Sequence, residues 1–528
     1  MTSPEHRSTA PFSARRRPLI PRPMLALPLA GVFALTGCFS SSEEEQNSAE
    51  SADTDARVSL AMLQPPRSGL SPLSDDAFKL SRWSTAETLI SLDADATAQP
   101  GLATEWTQDG TDPSLWRFTI REDVTFHDGT ELTAEVAMNA LQAAIDASPQ
   151  PRILDGVELD LSVEGNDLLV RTAEEDPLVP QRLSSPQLSI LAEAAYEGGQ
   201  VVDPVGHGTG PFELISVDGT SAATLDRYED YWGEPALASG IDVDFVPDGT
   251  ARAAALRTGE ADVVEAIPVG QAGQIDEDLI YEVPMPRTNT LYLNNEEGPF
   301  EDPEVRAAAR EAIDRAALIE GVYEGRADIA EGLLGPALPW AQDFRGSQSY
   351  QDTLEGRAEP AQVDGVEISL GTFTDRAELP EVAVLLEQQL EEAGFVVTQD
   401  VREYQYIEAD AVDGQFDAFI LSRATVLDSG DPAAYMYSDF ACEGSFNLSQ
   451  FCDDDVDAAL QNASEQYPAE GREEAIMAAE AEILAQDAAI PLLHERVIQG
   501  ESSRTSGAEQ DPRERLLITA ETMLGQED

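Results

Sequence analysis

Apolar and polar positions recur along this chain with two periods, and each change of period marks an element. Val-Ser-Leu-Ala-Met-Leu at 58–63 predicts a first strand, and the alternation of Leu-Trp-Arg-Phe-Thr-Ile at 115–120 predicts another. From Thr133 the period lengthens. Val136, Leu141 and Ile145 fall at helical spacing, with Thr133 as the N-cap. The clearest stretch is 366–420. Residues 366–373 read as a strand, Pro380 opens a helix with Val382, Leu385, Leu386 and Leu390 on one side, and Gly394 follows its end. Segments 395–401 and 416–421 read as two further strands. This succession predicts a parallel sheet in an α/β lobe. An earlier α/β pattern runs over 212–264, whereas 341–363 is polar and weakly periodic and predicts a surface excursion. No internal repeat is evident.

The N-terminus reads as an address. Arg7, Arg15, Arg16, Arg17 and Arg22 precede an apolar run over 24–35, twelve residues long and too short to span a bilayer by itself. A basic segment, a short apolar core and small residues form a secretory signal. Leu35-Thr36-Gly37-Cys38 resembles the bacterial lipoprotein box, which implies cleavage after residue 37 and lipidation of Cys38; an ordinary signal with a chance cysteine is the alternative. Residues 39–57 are rich in Ser, Glu, Asp and Ala without apolar periodicity, as in a flexible tether between membrane and folded body. No other segment approaches the roughly 18 consecutive apolar residues of a spanning helix.

Charge narrows the partners. Of 528 residues, 100 are Asp or Glu and 32 are Lys or Arg, a net −68, and Lys79 is the only lysine. Such a surface repels phosphates, which argues against nucleic-acid binding. Losing residues 1–37 would remove five arginines and one glutamate, leaving 27 basic against 99 acidic residues, a net −72. The surplus then faces the outside, where salt screens it, and it speaks of habitat more than of cargo. The length accommodates several domains and an ample core. Cys442 and Cys452, separated by nine residues in an exported chain, most simply form a disulfide; a metal pair is the alternative, but no histidine lies near.

No catalytic pattern stands out in the sequence. His6, His127, His207 and His494 are scattered and lack metal-motif spacing, and no Gly-x-Ser-x-Gly elbow occurs. Gly206-His207-Gly208-Thr209-Gly210 leads into a strand-like segment, so no helix N-terminus awaits a phosphate. Neither a catalytic site, nor a cofactor, nor a protein-bound metal is expected.

Several segments together resemble the peptide/nickel family of extracytoplasmic solute-binding proteins of ABC importers. They include Pro100-Gly101-Leu102-Ala103-Thr104-Glu105-Trp106, then Val124-Thr125-Phe126-His127-Asp128-Gly129-Thr130, then Thr209-Gly210-Pro211-Phe212. Asp230-Tyr231-Trp232-Gly233, Ala312-Ile313-Asp314-Arg315 and Ile490-Pro491-Leu492-Leu493-His494 follow in the family's order. The resemblance implies a two-lobed, type II periplasmic-binding-protein-like α/β fold with an additional subdomain and a hinge. The expected organisation is signal peptide 1–37, tether 38–57, lobe I 58–285 including a subdomain at about 81–199, lobe II 286–490, and a C-terminal return 491–528. The crossings are expected near 286–295 and 490–497. A monomeric receptor, anchored outside the cell membrane through Cys38, would capture a solute by hinge closure and present it to permease and ATPase subunits.

The resemblance also implies a binding segment, Ser422-Arg423-Ala424-Thr425-Val426-Leu427-Asp428-Ser429-Gly430-Asp431-Pro432. In dipeptide- and oligopeptide-binding relatives an Asp at the place of Asp428 anchors the peptide's amino terminus. The usual aromatic near 422–423 is missing here; Arg423 stands there, to grip a carboxylate or to pair with Asp428. In nickel-binding relatives arginines hold a chelator's carboxylates, a role open to Arg152 together with Arg423. The Cys442–Cys452 loop resembles that of the dipeptide-binding relatives. A short peptide is therefore the leading cargo, a nickel or other metal chelate the second, and a secreted carboxylate-dependent hydrolase the alternative from another class.

Overall fold

The protein was analysed as a computed structural model, which describes residues 53–93, 96–154, 157–198, 201–425, 430–466 and 469–526. Cys38, the signal and tether up to residue 52, and Asp428 lie outside the described residues. Among those described, no helix is long and apolar enough to cross a membrane.

One eleven-stranded sheet organises the described body. Its order runs Phe395–Arg402, Val366–Phe373, Ala418–Ala424, Ile280–Leu293, Ala489–Glu501, Val263–Val264, Arg57–Met62, Gly240–Phe245, Ala222–Arg227 and Phe212–Asp218, with Ala327–Ile329 also on Ala489–Glu501. The α/β lobe predicted over 366–420 is present, because Val366–Phe373 pairs in parallel with both Phe395–Arg402 and Ala418–Ala424. The helix between the first two is Glu378–Ala393; it buries Val382, Leu386 and Leu390 and ends on Gly394 at φ +112°, a left-handed position suited to glycine. At the other end, Arg57–Met62 pairs in parallel with Gly240–Phe245 and Val263–Val264.

The middle of the sheet is two long antiparallel strands, Ile280–Leu293 and Ala489–Glu501. Their outer halves serve different neighbours. Ala489–Glu501 meets Val263–Val264 at Gly500 and Glu501, whereas Ile280–Leu293 meets Ala418–Ala424 from Arg287 to Leu293. Their mutual register breaks between Pro284 and Thr288. Pro284 and Pro286 cannot donate to a ladder, which is why the interruption falls there.

A separate four-stranded antiparallel sheet, in the order Ala103–Asp109, Asp112–Ile120, Asp167–Thr172, Leu159–Glu164, carries the helix Ala134–Ile145 and its own core between Leu89 and Ala192. Thr133 caps that helix by accepting the Val136 N–H at 3.2 Å. Its buried face, however, is Ala134, Ala137, Ala140, Leu141 and Ala144; Val136 and Ile145 are half-buried. Small residues let the helix lie close to the sheet, so the alanines rather than the larger apolar residues mark the inside.

The segment 341–363 lies mostly at the surface, as its polarity predicts, with Ala341, Arg345 and Tyr350 as its buried residues. It contains the helices Pro339–Arg345 and Gln348–Leu354, and Arg345 and Tyr350 are buried against Glu480 of the helix Ala469–Ala485. Arg345 donates to both Glu480 oxygens at 3.1 and 2.7 Å, and the Tyr350 hydroxyl adds a third bond at 2.8 Å. Burial there depends on an ion pair, which hydrophobic periodicity does not register.

Candidate functional site

The remaining family-like motifs build scaffold. Phe126 to Thr130 form a turn closed by Phe126 N–H to Thr130 carbonyl at 2.8 Å, and His127 Nε2 lies 2.9 Å from the Gly210 carbonyl. Burial lowers the His127 pKa to about 4. Gly208 and Gly210 lie so close to Thr85 and Ser84 that a Cβ would fall 2.0 and 1.9 Å from their carbonyl oxygens. The glycine run is thus a backbone crossing, and the strand Phe212–Asp218 follows it. Tyr231 and Trp232 both donate to Glu87, at 3.1 and 3.0 Å, while Arg121 lies 4.2 Å over the Trp232 ring.

Polar chemistry gathers instead along the two central strands. Arg496 reaches Asp328 and Glu282, and Arg326 also binds Glu282. Arg376, just beyond Val366–Phe373, donates to Glu495 at 2.7 Å. Thr288 donates to the Leu333 carbonyl at 2.7 Å and meets His494 Nδ1 at 2.9 Å. Burial, reinforced by the charge of Arg345, lowers the His494 pKa to about 3, so this imidazole is neutral at physiological pH. Arg82 pairs with Glu265, and Arg287 faces Glu514 at 3.5 Å.

Arg423 lies at the end of Ala418–Ala424. Its guanidinium donates from two nitrogens to Asp439, at 2.8 and 2.7 Å, beneath the rings of Tyr435 and Phe446 at 5.4 and 4.8 Å. Burial opposes the charge on Arg423, but the Asp439 carboxylate outweighs it and raises the pKa further. The partner that spacing left open is therefore Asp439, supplied by the helix Ala433–Phe440. Arg152 starts the 3₁₀ turn Arg152–Leu154 and pairs with Asp75 at 3.2 Å. The two arginines proposed for a chelator thus each hold a carboxylate of this chain.

Beyond the segment containing Asp428, the chain is firmly held. Asp431 accepts the Ala433 N–H at 2.9 Å and an Arg472 N–H at 2.9 Å. Gly430, at φ +72°, fits against the two-stranded hairpin of Ile90–Leu92 and Ala98–Pro100: a Cβ would lie 2.8 Å from Leu92 Cδ1 and 2.9 Å from Ala96 Cβ. Cys442 and Cys452 are joined as a disulfide. Among the described residues no cluster of His, Cys, Asp and Glu is arranged to hold a metal ion.

A sheet continuous through two central strands is the arrangement of the two-lobed, periplasmic-binding-protein-like fold. The chain belongs to the bacterial extracellular solute-binding proteins, family 5, whose middle-region model matches residues 97–447. A nickel-binding periplasmic protein of Escherichia coli (strain K12) is 26% identical over 268 residues, 48% of this chain and 51% of that protein. The chain thus spans about half the length of that relative. A probable D,D-dipeptide-binding periplasmic protein of the same organism is 24% identical over 390 residues, 69% of this chain and 72% of that one. Among solved structures, NikA from Brucella suis in complex with Fe(III)-EDTA superposes with a TM-score of 0.77 at 20% identity, covering 88% of this chain and 99% of that one. DppA from Helicobacter pylori in complex with peptide STSA gives 0.71 at 19% identity, covering 89% and 98%. These likenesses establish the fold, and the family is one of binding proteins rather than enzymes, which removes the hydrolase reading.

Sequence reasoning missed Asp439, Glu495, Arg376 and the Arg287–Glu514 pair. Arg287 and Glu514 are 227 residues apart, so no local spacing could have announced them.

Proposed function

We propose that this protein is the lipid-anchored extracytoplasmic receptor of an ABC importer for a short peptide or peptide-like solute. The observation that carries the reading is the charged lining of the central strands. A permanent junction between two lobes would be sealed with apolar residues, whereas a cleft that opens for a polar solute keeps ionised groups at its walls. Lobe I (58–285, with the subdomain at 81–199) and lobe II (286–490) would swing about the register break near Pro284–Thr288 and its neighbour on Ala489–Glu501. Cargo contacting both lobes would favour the closed form, which docks on the permease. Residues 491–528 would return the chain to lobe I, and Cys38 would hold the monomer near its transporter.

Asp428 would take the peptide ammonium, three residues before Asp431, which Arg472 holds. A metal chelate is the second reading, favoured by the name of the nickel-binding relative. Thermal shifts against a di- and tripeptide library and a set of nickel chelates decide between them. Peptides stabilising the wild type but not Asp428→Ala support the first reading; stabilisation by chelates alone supports the second.

A further inference from the structure

A cavity of about 220 Å³ lies at the start of the strand Ala489–Glu501, and three arginines line it. Arg310 comes from the last turn of the helix Pro303–Ala312, Arg315 opens the helix Arg315–Val322, and Arg357 follows the helix Gln348–Leu354. Three arginines around one space run against the composition of a chain with 100 acidic and 32 basic residues. The space far exceeds the roughly 10–15 Å³ that a single water needs. Ile329 and Glu331 also line it and are exposed, so it opens to solvent.

Direct contacts hold these guanidinium groups in place. Asp487 is buried between the helix Ala469–Ala485 and the strand Ala489–Glu501; it accepts from Arg310 and lies 3.8 Å from Arg357 Nε. Arg357 Nε donates to the Leu484 carbonyl at 2.9 Å, and Arg315 Nε to the Pro491 carbonyl at 2.7 Å. Each bond fixes the Nε edge and leaves the two terminal nitrogens. A guanidinium carries five N–H donors, so Arg315 and Arg357 each keep four without a hydrogen-bonded acceptor among the described residues. Those terminal nitrogens are not sealed in the interior, so an ion entering the cavity can reach them.

Acids of the chain answer only part of this charge. Arg310 also meets Glu311 at 3.3 Å, and Glu331 accepts from Gln342 at 3.1 Å. Arg315 forms no ion pair among the described residues. Burial, followed by the charges of Arg357 and Arg310, holds its pKa below the ordinary value in spite of Glu311 and Asp487. Like charges around a partly desolvated space repel one another, and an anion between them relieves that repulsion. Forked N–H donors match the oxygens of a phosphate or sulfate group.

We propose that Arg315 and Arg357, with Arg310 beside them, form an oxyanion site for a phosphate or sulfate group, and that Asp487 is the fixed carboxylate that Arg310 and Arg357 flank. The site lies by Pro491, whereas the register break of the central strands faces His494–Arg496, so it is separate from the cargo contacts considered above. It does not depend on the receptor reading. A free ion and a phosphate monoester offer the same group.

Calorimetry on the full-length protein in detergent tests it with inorganic phosphate, sulfate and glycerol 3-phosphate, in sodium chloride sufficient to screen the net negative charge. Phosphate or sulfate should bind saturably, with a Kd of about 1 mM or tighter. Arg315→Gln and Arg357→Gln should each weaken that binding about tenfold or more, matching the loss of charge-assisted bonds. Arg257→Gln, at an exposed arginine bonded to Gln274, should leave it unchanged. Asp487→Asn should bind several-fold more tightly although its ligand-free melting temperature falls, because a competing negative charge is gone. Tighter binding of glycerol 3-phosphate than of inorganic phosphate assigns a monoester, and weaker binding assigns the free ion. Phenylglyoxal labelling of the wild type, read by peptide mass spectrometry, needs no variant to fold: phosphate should slow labelling of Arg315 and Arg357 but not of Arg257. No saturable binding of phosphate or sulfate, affinity unchanged in Arg315→Gln or in Arg357→Gln, or labelling of Arg315 and Arg357 indifferent to phosphate would each overturn the site.

Discussion

Arg423 and Asp439 form a bidentate pair, at 2.8 and 2.7 Å, in which the carboxylate side chain is fully buried and the guanidinium is covered by two aromatic rings. The Tyr292 hydroxyl also donates to Asp439 at 3.0 Å, from the neighbouring strand. The pair therefore ties the strand Ala418–Ala424, the helix Ala433–Phe440 and a central strand together just before the predicted binding loop. Removing the arginine strands a buried charge, which costs about 3–5 kcal/mol. Arg423→Met is expected to lose an amount of that order in urea unfolding. Arg423→Lys should recover only part of it, because an ammonium cannot pair bidentately or stack in the same way. A loss below about 1 kcal/mol for Arg423→Met would show that the pair is not structural.

Acid should destabilise the protein partly through its buried histidines. Burial lowers the pKa of His494 to about 3 and that of His127 to about 4. Both stay neutral in the folded chain well below the ordinary histidine value of about 6.5, at which the unfolded chain takes up protons. Their contribution is thus complete above about pH 6.5 and is lost as the pH falls toward 4 and then 3. At pH 5 each histidine should cost on the order of 2 kcal/mol relative to pH 7.5. His494→Asn, which can keep a hydrogen bond to Thr288, should show a smaller drop between those two pH values than the wild type. Equal drops would mean that His494 is not protonated on unfolding.

Much of this architecture was legible because its cues are local. Thr133 with Val136, Gly394 after its helix, and the alternation from 366 to 420 each specify an element within a few residues. The family-like motifs proved to be turns and backbone crossings, as at Gly208 and Gly210. What escaped was fixed by charge at long range. Arg345 and Glu480 are 135 residues apart, and their pairing anchors two surface helices that the weak periodicity of 341–363 did not announce. The same holds for Asp439, which no motif singled out among 100 acidic residues.

The proposed lipid anchor has its own test. Cys38→Ser should abolish both the lipid mass and the mature N-terminus at residue 38, with the uncleaved signal detectable by mass spectrometry. Wild-type protein found wholly in the soluble fraction, with an unmodified Cys38, would remove the lipoprotein reading.

The close fit of Gly430 against Leu92 and Ala96 predicts a variant that resists closure. Gly430 precedes the fixed Asp431–Pro432 turn, whereas Leu92 ends the strand Ile90–Leu92, which pairs with Ala98–Pro100. A Cβ at residue 430 would meet Leu92 Cδ1 at 2.8 Å and Ala96 Cβ at 2.9 Å, both too close. Gly430→Ala therefore carries two penalties. The positive φ costs about 1 kcal/mol in any arrangement of the lobes. The contact penalty arises only when this loop meets the hairpin. Small-angle scattering should give a larger radius of gyration for Gly430→Ala than for the wild type, with a modest loss in melting temperature. Leu92→Ala removes the nearer atom and should restore part of the compaction in the double variant, whereas the φ penalty should persist. Identical scattering from the wild type and Gly430→Ala would show that this contact does not govern how the two regions come together.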